Sequence, residues 1–472
     1  MSGLFASLNS TAQALNAHGR ALETAGKNLA NVNNPAYARQ RVIYGDRGTL
    51  RTSAGTESQG VEALGVEQLR DSLVDRQLMR EISLKSSFTA EQAGYQRAQA
   101  GLGQSISAVG AADSSSASDN GLGASLDRLF TSFQGFAASP SDVGTRQALL
   151  QAAAILTDRF QLADTRLAQA QTDLDAQIGS DVSTVNTLLE TIASLNGQIA
   201  RFEVSAPGSA VDLRDQRQAK LEALAAKIPV EVRDLAGGQV NVVAQDGAGA
   251  DVLLVNSATV PGPVVFDGAQ LLAGTPATPL TLTAGAIKGS LSARDGAVQT
   301  LRDNLDLLAR QLVTSVNAAN NPTGATSDFF RAAGVAAGTI RLEAAVTTGS
   351  LKASDGGAAG DNTIALAIAQ LATRSFSTSG APPDVIDGTL GGFYSNAVSE
   401  LGQALSGANS RVDDQDNIER LIRSQRDGVS GISLDEEMAD LMKYQRAFQA
   451  SSRVFGVVDE LIDLVVNRLG RG

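Results

Sequence analysis

MSGLFASLNSTAQALNAHGRALETAGKNLANVNN, residues 1–34, places Leu4, Leu8, Leu15, Leu22, Ala25, Leu29 and Val32 at alternating steps of four and three. Thr11 and His18 fill the two remaining slots. That is the seam of a two-helix coil, and it predicts one amphipathic helix. The far end, residues 433–469, reads SLDEEMADLMKYQRAFQASSRVFGVVDELIDLVVNRL. Its apolar face runs through Leu434, Met438, Leu441, Phe448, Phe455, Ile462, Val466 and Leu469. Ser433 followed by Glu436 predicts a capping box, and Asp435, Glu436 and Glu437 sit where the helix dipole favours negative charge. Arg468 and Arg471 stand at the end that favours cations. Neither segment can bury its seam alone. Ordering about 30 residues loses more chain entropy than five buried leucines return. Gly3, Gly19 and Gly26 each subtract about 1 kcal/mol more relative to alanine. The two ends are therefore expected to pair, forming a coiled-coil-like segment that neighbouring subunits complete. Sticky ends of this kind mark a subunit of an assembly rather than a free enzyme.

Between these ends the periodicity changes twice. Asn33-Asn34-Pro35 stops the first helix, because proline disfavours helical geometry in the residue before it. Residues 36–65 look extended, and a helix is predicted over 66–106. The small polar run at 110–123 reads as a connection. Leu149, Ala153, Leu156, Phe160, Ala163, Leu167, Ala170 and Leu174 keep the four-three step. After a break expected at Gly179-Ser180, Val185, Leu188, Ile192, Leu195, Ile199 and Phe202 keep it again. A further helix is expected over 213–227. From Pro229 the period drops to two: Val230 and Val232, then Val240 and Val242, flank Gly237-Gly238, which is a hairpin signature. Short β-like pieces follow to about residue 282. Helix resumes over 285–317, a strand is expected at 339–346, a helix at 362–373, and a last bundle helix through Tyr394, Val398, Leu401, Leu405, Ala408 and Val412. The expected fold is mainly α with an inserted β domain. The expected domains are a terminal assembly domain (1–60 with 431–472), a helical bundle (61–228 with 285–338 and 384–430), and a β domain (229–284, with 339–383 contributing).

Composition narrows the function classes. The chain has 472 residues and a formal net charge of −12, which opposes nucleic acid or anionic lipid as main partner. It has no cysteine, hence neither disulfides nor thiol chemistry. No apolar run approaches the roughly 18 residues of a membrane span, and the spaced apolar residues of the N-terminus are unlike a Sec-type signal. The expectation is no membrane insertion and no nucleic-acid partner.

Chemical candidates are weak. His18 is the sole histidine, so a histidine triad or multi-histidine metal site is excluded within one chain. It reads as a polar seam residue, with protonation-sensitive packing as the sharper reading. Asp413-Asp414-Gln415-Asp416 fails the calcium-loop spacing, since Ile418 stands where an oxygen ligand is needed. Asp435-Glu436-Glu437 is explained by capping. Gly101-Leu102-Gly103 and Gly121-Leu122-Gly123 lack the strand-to-helix setting of a phosphate loop. No catalytic, cofactor-binding or metal residue is assigned; the rival class is a cell-wall glycan hydrolase using paired carboxylates.

Residues 22–37 read LETAGKNLANVNNPAY, and residues 430–450 read SGISLDEEMADLMKYQRAFQA. The first resembles the N-terminal signature shared by flagellar rod, hook and hook-associated proteins, in which Asn-Leu-Ala-Asn precedes a Pro-containing turn and a Tyr. The second resembles the C-terminal signature of the same axial family, in the form of its hook-associated branch. Residues 211–232 (VDLRDQRQAKLEALAAKIPVEV) and 289–317 are similar to that branch's passage into and out of its β domain. Asn34, Ala36 and Ile432 depart from the usual Thr, Gly and Val. The resemblance implies a non-enzymatic structural subunit at the hook–filament junction, self-associated into an axial ring or tube. It implies flagellar type III export without a cleaved signal, an extracellular location, and contacts with hook protein and a second junction protein. An export chaperone on the C-terminal helix is implied too. Another axial component, hook or distal rod, is the nearer alternative. The assembly residues are then Leu4, Leu8, Leu15, Leu22, Leu29, Asn31, Pro35 and Tyr37 at one end. At the other they are Leu434, Met438, Leu441, Phe448, Phe455, Ile462 and Val466.

Overall fold

The computed structural model describes residues 2–46, 48–52, 55–58, 60–103, 121–322, 324, 327–356, 361–380 and 382–465. Residues 110–120 of the expected connection, and Val466, Arg468, Leu469 and Arg471, lie outside them. The chain forms two compact units, Met1–Lys85 with Val182–Gly285 and Gln415–Gly472, and Ser86–Asp181 with Ala286–Asp414. The architecture is mainly α with small antiparallel sheets. Among the described residues no helix is long and apolar enough to cross a membrane.

In the first unit, helix α1 (Ser2–Ala30) leads into strand β1 (Gln40–Asp46), a hairpin of β2 (Thr49–Thr52) and β3 (Gly55–Ser58), and strand β4 (Val61–Gln68). β1 and β4 pair antiparallel, with Val42 opposite Val66 and Gln40 opposite Gln68. The helix expected from residue 66 therefore begins later, as α2 (Ser72–Leu102). Residues 66–68 belong to a strand because β1 offers them a hydrogen-bonded partner, a tertiary fact that local periodicity does not carry. Val74, Leu78 and Ile82 of α2 form a small core with Ile422.

Helix α3 (Leu122–Ala138) was not foreseen, although Leu122, Leu126, Leu129, Phe130, Phe133 and Phe136 keep helical spacing on its buried face. Helix α4 (Val143–Phe202) runs unbroken through Gly179-Ser180. Ile178 and Val182 on either side are buried, and their packing outweighs the cost of one helical glycine, about 1 kcal/mol. All eight seam residues from Leu149 to Leu174 are buried as the spacing requires. In the second half Leu189 is buried in place of Leu188, and Phe202 at the helix end is 68% exposed.

After α5 (Val211–Ala225) the hairpin forms as expected, with β5 (Glu231–Asp234) paired to β6 (Val240–Gln245), and β6 to β7 (Asp251–Val255). Strands β8 (Val265–Phe266), β9 (Leu271–Ala273) and β10 (Thr278–Pro279) make a second small sheet in the order β10-β9-β8. These sheets belong to the same unit as the terminal helices. Two asparagines of α4 tie them down. Asn196 Nδ2 donates to Val240 O at 2.8 Å, and Asn186 exchanges two bonds with Val264 at 2.9 and 2.8 Å, as a neighbouring strand would.

The second unit holds the larger core. The helix expected over 285–317 is interrupted: α6 (Ala286–Ala293) passes through a π turn at Arg294–Val298 into α7 (Gln299–Asn320). Gly296 takes φ −91°, ψ −107° there, outside helical values. The strand expected at 339–346 is only one bridge, Leu342 to Phe330, with Phe329 and Phe330 plugged into the core. Helices α8 (Thr363–Gln370) and α9 (Leu390–Ser430) follow, and α10 (Leu434–Asp463) returns to the first unit. Phe133, Phe136, Phe160, Phe329, Phe330 and Phe376 are fully buried, and the Phe133–Phe329 and Phe329–Phe330 ring centroids lie 5.2 and 4.9 Å apart.

Candidate assembly surface

The start and the end of the chain meet. α1 lies along α10 and also covers β1 and β4. Having two neighbours shifts its deepest line. Thr11, Ala17, Ala21, Thr24, Ala25 and Asn28 are buried, whereas Leu4, Leu8, Leu15, Leu22 and Leu29 flank that line half-buried. Small residues let the backbones approach; Gly19 faces the Phe448 ring, which a Cβ would touch at 3.6 Å.

The polar centre of the contact is Asn28. Its Nδ2 donates to Gln40 O at 2.8 Å and to Glu437 Oε2 at 3.0 Å. Its Oδ1 accepts from Gln40 N and from the Tyr37 hydroxyl, both at 3.0 Å. All the capacity of a buried amide is used, which such a site requires. Asn31, one turn on, closes the helix end, donating to Lys27 O at 3.0 Å. The first asparagine of Asn28-Leu29-Ala30-Asn31 is the one that faces inward.

The following loop is fastened at three points. Arg426 donates to Pro35 O at 2.9 Å, and Arg70 to Ala36 O at 2.8 Å. Arg39 N donates to Ser430 O at 2.9 Å. Asn34 Oδ1 accepts from Ala36 N at 3.2 Å, forming a local turn. Ala36 is absent from the positions of positive φ, so alanine in place of glycine adds no strain. Burial first, then Asp212, Asp215 and Glu437, pushes the Tyr37 phenol well up, so it remains a hydrogen-bond donor.

Charge continues the contact onto α10. Arg39 reaches Glu436 Oε2 and Glu437 Oε1, each at 2.7 Å. Glu437 is 2% exposed and is held by Arg39 and Asn28. Ser433 caps the helix by accepting from Glu436 N at 3.5 Å. The Glu436 carboxylate that would complete a capping box pairs with Arg39 instead.

Apolar residues of α10 divide between covered and uncovered. Leu441, Phe455 and Ile462 are half-buried, and Val458 is buried. Leu434, Met438 and Phe448, on the same apolar face by spacing, are exposed at 51%, 47% and 38%. Val466 lies outside the described residues. The sequence reading also missed a second stripe, Val454, Val457, Leu461 and Leu464, all exposed. Its three-four-three spacing was the available signal. His18 is half-buried, with Nδ1 buried and without a hydrogen-bond partner. Asp416 and Glu419 are bonded by Lys85 at 2.5 and 3.1 Å, and no group of three or more potential ligands that could hold a metal occurs among the described residues.

Comparison with known proteins gives two family matches. Residues 113–328 match the family described as flagellar hook-associated protein FlgK helical domain, and residues 424–469 the family described as flagellar basal body rod FlgEFG protein C-terminal. The chain is 26% identical to flagellar hook-associated protein 1 of Bacillus subtilis, with all of both chains covered. It is 25% identical to the protein of that name from Salmonella typhimurium and 23% to that of Escherichia coli, in each case over 98% of this chain and 99% of the relative. A solved structure of the flagellar hook junction protein FlgK from Burkholderia pseudomallei aligns with a TM-score of 0.44 at 22% identity, over 52% of this chain and 43% of that one.

Proposed function

We propose, from the premise that this chain belongs to the family of flagellar hook-associated protein 1, that it is a structural subunit joining hook to filament in the bacterial flagellum. The carrying observation is the α1–α10 pair, locked internally by Asn28, Arg39 and Glu437 yet bearing uncovered apolar stripes on α10. A stripe of that kind buries itself against another chain in an assembly. The partners are further copies of this chain, forming an axial ring or tube, with hook protein on one side and a second junction protein on the other. Passage through the flagellar type III apparatus brings it outside the cell, and an export chaperone occupies α10 beforehand. A cell-wall hydrolase and other enzyme classes give way to this non-enzymatic role. A hook or distal rod protein remains the second reading on the 424–469 match, but the match over 113–328 favours the junction. The assembly residues are Leu4, Leu8, Leu15, Leu22, Leu29, Asn31, Pro35 and Tyr37 with Leu434, Met438, Leu441, Phe448, Phe455, Ile462 and Val466. Asn28, Arg39, Glu437, Val454, Val457, Leu461 and Leu464 are added to them.

The test is Val457→Asp with Leu461→Asp. Both side chains are exposed, so the monomer should keep its helical circular dichroism while cells lose filaments from their hooks. Normal filament attachment by this variant would overturn the reading.

A further inference from the structure

Arg70, just after β4, reaches a buried pair of carboxylates. Its Nη1 donates to Asp75 Oδ2 at 3.0 Å, and its Nε and Nη2 donate to Asp215 Oδ1 at 3.2 and 2.7 Å. The same Nη2 donates to Ala36 O, so this guanidinium ties the loop after α1 to α2 and α5. Asp75 and Asp215 are each 6% exposed. The other oxygen of each, Asp75 Oδ1 and Asp215 Oδ2, is buried with no hydrogen-bond partner. One cation thus serves two buried anions, and two acceptors lack donors. That is a costly state for charge removed from water.

The surrounding groups relieve it only in part: the Ala38 N–H and the Gln68 side chain draw on Asp215, but burial outweighs them. From the loop, Tyr37 donates to Asn28, and Arg39 is taken by Glu436 and Glu437. From α5, Asp212 accepts from Gln40, and Arg217 donates to Asn196 Oδ1 and Gly238 O. From β4, Gln68 donates to Val211 O at 2.5 Å.

We propose that the Asp75–Arg70–Asp215 cluster is a proton-operated clamp on the loop that follows α1. A proton taken up by Asp215 in mild acid removes the excess buried charge and tightens the joint. Its loss near neutral pH loosens the joint. Burial pushes the Asp215 carboxyl up to about 6 from 3.8, against the pull of Arg70 and of the Ala38 and Gln68 dipoles. The folded state therefore binds this proton more tightly than the unfolded chain does. The destabilisation is fully present above about pH 7, is relieved as pH falls through 6, and is gone near pH 4. The change approaches roughly 100-fold in the folding equilibrium constant.

The experiment is amide exchange at residues 36–40 of the purified full-length chain at pH 5.0 and 7.5, corrected for the intrinsic pH dependence of exchange. Wild type, Asp215→Asn and Asp75→Asn are compared. Protection in wild type should rise several-fold at the lower pH. Asp215→Asn, a neutral mimic, should be protected at both pH values. Asp75→Asn, which removes the competing charge, should move the transition to lower pH. Equal wild-type protection at the two pH values, or a full pH response in Asp215→Asn, overturns the proposal. Should Asp215→Asn fail to fold, an unmoved transition in Asp75→Asn overturns it equally. The readout is taken on the monomer and does not depend on assembly at the junction.

Discussion

Asn28 makes four hydrogen bonds through two side-chain atoms, and its removal cannot be absorbed by water because the site is closed. Asn28→Ala should destabilise the first unit by about 2–3 kcal/mol, since it leaves a carboxylate and a backbone pair short of partners. Chemical denaturation followed by circular dichroism reads this directly. The neighbouring glutamates separate exposed from buried charge. Glu436 has a side chain 63% exposed, so Glu436→Gln should shift stability by less than about 0.5 kcal/mol. The Glu437 side chain is 3% exposed, and Glu437→Ala should cost about 3 kcal/mol, because the Arg39 guanidinium and the Asn28 amide lose their acceptor. Equal effects of these two substitutions would contradict the burial argument.

At the scale of elements, glycines show where helix propensity rules and where packing does. Gly179 lies inside α4 with open space around its Cα, so Gly179→Ala should stabilise by about 0.5–1 kcal/mol. Gly289 of α6 sits against the Ser87 carbonyl of α2, where a Cβ would overlap the oxygen. Gly289→Ala should therefore destabilise by about 1–3 kcal/mol, as overpacking does. Opposite shifts in denaturation midpoint are the expected result. Local sequence does not tell Gly179, which stays helical, from Gly296, which does not, and so a break was expected at the first and none at the second. A glycine marks a permitted departure from the helix, and the neighbours decide whether it is taken.

For the molecule as a whole, the terminal helix pair is less well filled than the helical core. The second unit buries a block of phenylalanines and leucines, whereas the deepest apolar residues of α1 and α10 are three alanines and Val458. In a dilute monomer the amides of α1 and α10 should exchange far faster than those of α4 between Leu149 and Leu174, and assembly should slow them. Equal protection in the monomer would show that the terminal pair needs no neighbours. By itself the sequence determined the long helices, the Ser433 cap, the β5–β6 hairpin and the two helical ends, because each rests on local periodicity or on a side chain bonding its own backbone. Only the tertiary structure decided that β1 and β4 claim residues 66–68, and that Asn28 is the polar hub of the terminal contact. It also decided that Leu434 and Met438 face outward while Glu437 faces in. Those outcomes depend on which element lies opposite, and a helix with two neighbours buries the line between them rather than the line of its largest side chains.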